Sequence, residues 1–253
     1  MAPRRRYLRG IGVEVDEAGV ANAITEQAAA GNGWVKLVGD WIDRDRGDLA
    51  PAWSLDVMAD AVAKAHAAGA RVAVHAFAEE SVAAMVRARV DSIEHGTGLS
   101  EEDIALMGRQ GTALVPTMIN VATFGDIASL AAEKFPGYAA HMRRLRDRFP
   151  SKVAMAYEAG VPIYLGTDAG GGIRHGRAAD EMMLLHEKAG MSKVDALAAG
   201  SWAARRWLGF TGLREGDLAD LVVYDEDPRR DLRVVRTPRL IVLKGRPVAG
   251  APA

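Results

Sequence analysis

The sequence predicts an α/β protein assembled from parallel βα units, and three observations carry that prediction. An Ala-rich amphipathic stretch that closes on Gly or a short polar turn recurs along the chain. Each time, a short apolar run rich in β-branched residues follows. The runs have strand length, and the stretches between them have helical period. Units of this kind, joined by right-handed crossovers, form either an open doubly wound sheet or a barrel.

The first unit runs from Ala28-Ala29-Ala30-Gly31-Asn32-Gly33 into Trp34-Val35-Lys36-Leu37-Val38. The second runs from Ala67-Ala68-Gly69 into Arg71-Val72-Ala73-Val74-His75. A third passes through Arg89 into Val90-Asp91-Ser92-Ile93-Glu94-His95, and a fourth from Arg109-Gln110-Gly111 into Thr112-Ala113-Leu114-Val115-Pro116. The last leads from Glu158-Ala159-Gly160 into Val161-Pro162-Ile163-Tyr164-Leu165. The glycines suit the left-handed residue that ends a helix.

Between the runs, Leu55, Met58, Val62 and Ala65 fall on one helical face, with Ser54 as the cap. Ser100-Glu101-Glu102-Asp103 and Ser192-Lys193-Val194-Asp195 open helices as capping boxes. The span from Phe124 to Gly160 is long for one crossover and is predicted as two helices broken near Pro136-Gly137. After about Phe210 the texture changes. Leu221-Val222-Val223-Tyr224 and Leu240-Ile241-Val242-Leu243 read as strands of a small β appendage, and the tail from Pro247 is expected to fray. The domain reading is therefore 1–210 and 211–253.

Composition narrows the function. The 253 residues are 49% hydrophobic and 26% charged, ordinary for a globular protein able to bury a core without staples. Cysteine is absent, which excludes a disulfide scaffold, an iron–sulfur centre, a Cys-ligated zinc finger and a Cys nucleophile. The 32 basic and 33 acidic residues nearly cancel, so neither nucleic acid nor an anionic membrane is an expected partner. Arg4-Arg5-Arg6 lacks the apolar region of a signal peptide, and no apolar run approaches membrane-spanning length. The expected location is the cytoplasm. No G-x-G-x-x-G follows the first strand, and Gly170-Gly171-Gly172 is not followed by a P-loop Lys and Ser/Thr. G-x-S-x-G and H-E-x-x-H are also missing, removing the serine-hydrolase and zincin readings.

In a barrel, chemistry sits at the C-terminal ends of the strands. Lys36, His75, His95 and Asp168 lie at or within successive strands, and the remaining strand ends in Pro116-Thr117. Each has an ordinary reading. Lys36 reads as an edge-strand lysine reaching water, or as a desolvated amine that reacts with carbon dioxide to form a carbamate. His75 and His95 read singly as core histidines; two on consecutive strands suit a metal, since neutral imidazole is a common zinc ligand. Asp168 reads as a turn residue, or as a carboxylate that shuttles a proton at a metal centre. His175 reads equally as a loop residue or a substrate contact. His66, His141 and His186 fall in predicted helices and read as surface or packing residues, and Arg143, Arg144, Arg146 and Arg148 as a solvated face.

With Val35-Lys36-Leu37, Asp91-Ser92-Ile93-Glu94-His95-Gly96-Thr97 and Gly166-Thr167-Asp168-Ala169-Gly170, the ordered set resembles the amidohydrolase superfamily. The branch it resembles is that of imidazolonepropionase-like and Xaa-Pro-dipeptidase-like metal-dependent hydrolases. Leu213-Arg214-Glu215-Gly216-Asp217-Leu218-Ala219-Asp220-Leu221-Val222-Val223-Tyr224-Asp225, Asp227-Pro228 and Val242-Leu243-Lys244-Gly245-Arg246 extend the resemblance, which covers about residues 12 to 248. It implies a TIM barrel with a small β-sandwich, and two divalent ions, commonly zinc, bridged by a carboxylated Lys36. One ion takes His75 and His95; Asp168 binds the other and acts as general base, then acid, in hydrolysis of an amide, dipeptide or cyclic amide. Candidate pocket residues are Asp40, Trp41, Thr97, Thr117, Asn120, Arg174 and His175, with Arg174 suited to a substrate carboxylate.

The pattern departs from the superfamily at one point. No two of the six histidines are two residues apart, so the H-x-H pair of the first barrel strand has no counterpart. The expectation is a partial barrel of strands 4–8 lacking the N-terminal part, with Met1 to Gly12 falling after the third strand. Open sheet edges then favour pairing, including a homo-oligomer. A competing reading is a catalytically impaired remnant serving as an interaction subunit. A further one is a one-metal enzyme using His75, His95 and Asp168.

Overall fold

The structure, a computed structural model, describes residues 2–3, 12–170 and 172–250. The expected placement of residues 1–12 falls almost wholly outside that range. The chain forms two compact units, Met1–Ile163 and Tyr164–Ala253, and the change of texture near residue 210 lies within the second.

The first unit opens with a short parallel pair, β1 (Ala2–Pro3) and β2 (Glu14–Val15), followed by α1 (Glu17–Ala30). The Asp16 carboxylate accepts the Gly19 N–H at the start of α1, and Val20, Ala23, Ile24 and Ala28 form its buried stripe. Then come β3 (Trp34–Val38), β4 (Asp40–Asp43), β5 (Asp48–Pro51) and α2 (Leu55–Ala67). After them follow β6 (Arg71–Ala76), α3 (Glu79–Arg87), β7 (Ser92–His95), α4 (Glu101–Gln110) and β8 (Ala113–Val115). Three helices, α5 (Met118–Ala122), α6 (Phe124–Ala131) and α7 (Pro136–Glu158), complete the unit. The break between α6 and α7 falls as predicted, with Pro136 in the first turn where its missing N–H costs nothing.

The main sheet is parallel, in the order β3-β6-β7-β8, and a parallel bridge from Leu114 to Ile163 extends it. Within this sheet the spatial order follows the chain order, with the β4–β5 pair lying outside it. This is the progression of a (β/α) barrel; a doubly wound sheet reverses direction at a switch point. The fifth predicted strand, Val161–Leu165, is reduced to that single bridge. Pro162 has no N–H to donate, though its carbonyl accepts from Leu114, and the Leu165 N–H turns away to Ala199.

The sequence missed the β4–β5 hairpin, which pairs antiparallel from Asp40↔Pro51 to Asp43↔Asp48. Its turn lacks the two-residue Asn-Gly signal. Instead, Asp43 Oδ1 accepts the Asp45 and Arg46 N–H groups, and Gly47 takes φ 69°. Ser54 stands at the N-cap of α2, but its hydroxyl makes no capping bond there, and Leu55 is exposed while Met58, Val62 and Ala65 are buried. Ser100 and Asp103 form the full capping box of α4.

The second unit holds α8 (Ala178–Glu187), α9 (Lys193–Ala199) and α10 (Trp202–Trp207). It continues with β9 (Leu221–Val223), a 3-10 turn at Leu232–Arg236, β10 (Leu240–Leu243) and β11 (Arg246–Gly250). The three strands form an antiparallel sheet, β11-β10-β9. Lys244 and Gly245 join β10 to β11 with positive φ at both positions, the pattern of a type I′ hairpin. The tail from Pro247 therefore does not fray through Gly250: it is β11, paired to β10 with a register shift at Ile241/Val242. Residues 251–253 lie outside the described range. Among the described residues no helix is long and apolar enough to cross a membrane.

Candidate active site

The four paired strands expose two chemically different faces. Val35, Leu37, Val72, Val74, Ala76 and Ile93 alternate onto one face and are essentially inaccessible. Trp34, Lys36, Ala73, His75 and Glu94 alternate onto the other and are not fully buried. Parallel sheets usually read as continuous apolar runs because both faces are covered. Here the period-2 alternation places titratable groups in register. His75 pairs with Glu94 across β6 and β7, and with Val38 across β3 and β6. Lys36 Nζ stands 3.9 Å from Glu94 Oε2, and its side chain is 54% exposed. Glu94 Oε1 accepts the Ser92 hydroxyl at 2.6 Å.

At the strand ends the two predicted histidines come together. Their ring centroids are 4.7 Å apart, edge to face. Strand alternation alone would send His95 to the helix-packed face, as it does Ile93. His95 instead adopts φ 69°, and its ring meets His75 and Phe77. Gly96 follows, also at positive φ, where a Cβ would lie 2.7 Å from the Leu114 side chain. Thr117 (φ 47°), just past β8, is left-handed as well, and in the second unit Asp168 takes φ 53°. Such backbone costs about 1–3 kcal/mol per residue and clusters at functional sites.

Aromatic rings surround the imidazoles. Phe77 lies 4.3 Å from His75 and 4.8 Å from His95, Trp41 lies 5.7 Å from His75, and Phe124 backs Phe77 at 4.7 Å. Burial in these surroundings, with the Lys36 charge adding to it, pulls His75 down to about 3. Burial, then the neighbouring His75 and Lys36, holds His95 well below its ordinary value. Both rings are neutral at pH 7, as a metal ligand must be. His95 Nδ1 is 2.7 Å from the buried Thr117 hydroxyl.

Asp40 was a candidate pocket residue by position; the structure shows a carboxylate with no exposed surface. Its Oδ2 accepts the Phe77 N–H at 2.8 Å and the Ala78 N–H at 2.7 Å. Its Oδ1 lies 3.6 Å from His75 Nε2. Burial raises its pKa to about 6, against the pull of those two N–H groups. Beside it, His141 joins Asp48 and Glu79 at 2.9 and 2.8 Å, a buried packing role of the kind the sequence predicts. Burial pushes Glu79 up, but its own backbone N–H and the His141 ring outweigh it and hold it below the usual carboxylate range.

Lys36, Trp41, His75, His95 and Thr117 are thus brought to one end of one sheet in the first unit. Asp168, Arg174 and His175 belong to the second unit and are exposed there, on either side of a Gly170–Ile173 bridge. Asn120 is half-buried in α5, and the Thr97 hydroxyl donates to the Phe77 carbonyl at 2.8 Å. Glu94 was not singled out in the sequence, although its spacing two residues after Ser92 places it on the reactive face.

The histidine pair suits the nitrogen donors of a divalent ion: burial favours the neutral form of both rings, and Thr117 holds His95 from one side. Among the described residues, no group of three or more His, Cys, Asp or Glu side chains is placed to hold an ion. Two imidazoles are half of a four-coordinate shell, so a complete site needs donors besides this pair.

A family model described as the amidohydrolase family matches residues 46–248. An uncharacterized protein of Mycobacterium tuberculosis is 53% identical over 247 residues, covering 97% of this chain and 66% of that protein. Ochratoxinase of Aspergillus niger is 30% identical over 177 residues, covering 67% of this chain and 35% of that protein. Among solved structures, a Xaa-Pro dipeptidase with methionine bound in its active site superposes with a TM-score of 0.80 at 26% identity, over 96% of this chain and 62% of that one. The A. niger ochratoxinase structure superposes with a TM-score of 0.79 at 25% identity, over 99% of this chain and 59% of that one. The chain belongs to the amidohydrolase family. Its fold is that of the family's TIM barrels, with four paired parallel strands among the described residues. Within the family it is similar to the Xaa-Pro dipeptidase and ochratoxinase members, and it spans about two thirds of the length of the mycobacterial relative. Members of the family generally bind divalent metal ions.

Proposed function

We propose that this chain carries the catalytic face of a metal-dependent hydrolase that cleaves a C–N bond in a small amide, dipeptide or cyclic amide. The observation that carries the reading is the pair of neutral imidazoles, edge to face at 4.7 Å, at the ends of adjacent parallel strands. Its similarity to a Xaa-Pro dipeptidase and to ochratoxinase supports it.

In this reading His75 and His95 hold a divalent ion, with zinc as the first candidate. Lys36 would join them as a carbamate: after losing its ammonium proton the amine would add carbon dioxide and release a second proton, giving an anionic oxygen donor. A bound ion supplies Lewis-acid polarisation of the substrate carbonyl and acidifies water. Asp168 holds the proton released as water attacks, then returns it to the leaving amine. That role rests on its Gly166-Thr167-Asp168-Ala169-Gly170 motif and its left-handed backbone. Thr117 spends its buried hydroxyl on His95, so it positions the imidazole and is not assigned to the substrate. Trp41 offers an aromatic wall beside His75. Arg174 and His175, both exposed, are the candidates for a substrate carboxylate.

The test is metal content and hydrolysis after reloading. The chelator-treated chain is incubated with zinc and bicarbonate, its bound metal is measured by mass spectrometry of the elements, and dipeptides and cyclic amides are assayed. Bound metal that is lost in His75→Ala and Lys36→Ala supports the reading. Equal metal content in wild type and both variants would sink it.

A further inference from the structure

The two histidines differ in what faces the nitrogen they turn away from the shared site. We propose that Asp40 is a positioning residue that fixes the tautomer of His75, taking its Nε2–H and leaving Nδ1 as the lone pair that faces a ligand.

The geometry starts at Gly39. Its φ is not in the left-handed region, and what it supplies is space: a Cβ there would lie 2.8 Å from the His75 carbonyl oxygen and 2.8 Å from the Val74 side chain. That close approach, sealed by a Gly39 N–H to His75 O bond of 2.7 Å, brings the next residue, Asp40, beside the His75 ring. The Phe77 and Ala78 N–H groups both donate to Oδ2, which fixes the carboxylate plane and therefore the direction of Oδ1. Oδ1 then stands 3.6 Å from His75 Nε2. Both atoms are buried, and neither makes a hydrogen bond of normal geometry among the described residues; the buried Ser81 hydroxyl, likewise without one, also lies near enough to Asp40 to favour its ionised form. Two orphaned buried polar atoms that face each other are costly apart, and a shift of about half an ångström joins them.

Chemistry then sets the proton. An ionised carboxylate only accepts, and a neutral imidazole carries one N–H. The hydrogen must therefore sit on Nε2, and the free lone pair on Nδ1. His95 is arranged the other way round: Thr117 holds its Nδ1, so Nε2 is the nitrogen left over. A hydroxyl can donate or accept, so Thr117 orients its histidine without choosing the tautomer. Asp40 chooses. Carboxylate partners of this kind typically change metal affinity by about 10–100-fold when removed. The metal arm of the inference rests on the hydrolase reading; the tautomer arm does not.

The experiment is nitrogen-15 NMR of the imidazoles in the metal-free full chain, in neutral to mildly alkaline buffer, with the His75 signals assigned by their loss in His75→Gln. The expected result is a protonated Nε2 and an unprotonated Nδ1 on His75. Asp40→Asn is the decisive variant. Its amide oxygen still accepts from Phe77 and Ala78, while its NH2 group faces Nε2 as a donor, so the proton is expected to move to Nδ1. Zinc affinity, read by chelator competition, is expected to fall about 10–100-fold in that variant. An Nδ1–H tautomer in the wild-type chain overturns the proposal without any variant, and so does a tautomer unchanged in Asp40→Asn. If wild type binds no zinc yet shows Nε2–H on His75, and the variant shows Nδ1–H, the hydrolase reading fails and the assignment of Asp40 stands.

Discussion

The two faces of the four-stranded sheet come from alternate residues of the same strands and do opposite things. On one face Val35, Leu37, Val72, Val74 and Ile93 are sealed against helices. On the other, Lys36, His75 and Glu94 stand in register with ion pairs and imidazole edges as their contacts. The first face supplies stability through buried apolar area. The second carries groups whose burial costs stability, and the fold tolerates that cost because the apolar face offsets it. Histidines pulled far below their ordinary pKa, the left-handed backbone of His95 and Thr117 and a buried carboxylate oxygen without a hydrogen bond gather at that chemical side.

The largest expected effect breaks the apolar face. Leu37→Ala removes a fully buried side chain from the middle of β3 and is expected to cost about 2–5 kcal/mol in urea unfolding. A cost below about 1 kcal/mol would mean that this face is not packed as described.

Next comes acid. His75 is pulled from 6.5 to about 3, and His95 also lies well below 6.5. As pH falls below the unfolded value, the unfolded chain takes up protons that the folded protein refuses, so both histidines lower stability. Asp40 acts in the opposite sense: its pKa rises from 3.8 to about 6, so the folded protein takes up a proton that the unfolded chain refuses between those values. Two histidines act against one aspartate, which predicts that the stability of the metal-free protein falls as pH drops below about 6. His95→Gln is expected to flatten that slope. Stability that rises in acid over this window contradicts the burial of the pair.

Thr117→Val keeps the shape at the end of β8 and removes the hydroxyl held by His95 Nδ1. An unsatisfied buried nitrogen predicts a loss of about 1–3 kcal/mol, read by thermal unfolding, with a looser grip on zinc. An unchanged midpoint would show that the bond contributes nothing. The smallest effect belongs to the C-terminal sheet, where Val222 is 44% exposed. Val222→Thr is expected to stay within about 0.5 kcal/mol of wild type. A larger loss in the same unfolding assay would mean that this strand packs against something in solution.

Periodicity and punctuation made most of the fold legible. Four predicted strands, the helices between them, the capping box at Ser100 and the break at Pro136 all stand where local chemistry places them. The β4–β5 hairpin escaped because an Asp43-centred turn carries no dipeptide signal. The tail from Pro247 was misread because Pro and Gly composition suggests fraying, whereas Pro247 sits opposite Val242 at a register shift in β11. For the site, residue identity and order singled out Lys36, His75, His95 and Asp168. What Asp40 and Thr117 touch was illegible, because those contacts run between Asp40 and Phe77 or between His95 and Thr117, far apart in the chain.

By itself the sequence determined the βα alternation, the apolar face and the set of chemical groups, because these depend on side-chain identity at short spacing. Tertiary structure alone decided that His95 leaves its strand's alternation, that burial favours the neutral form of both imidazoles, that Thr117 holds His95 Nδ1, and that a buried aspartate stands beside His75 Nε2. Those properties depend on burial and on distances of a few ångströms between separate strands, which no local pattern encodes.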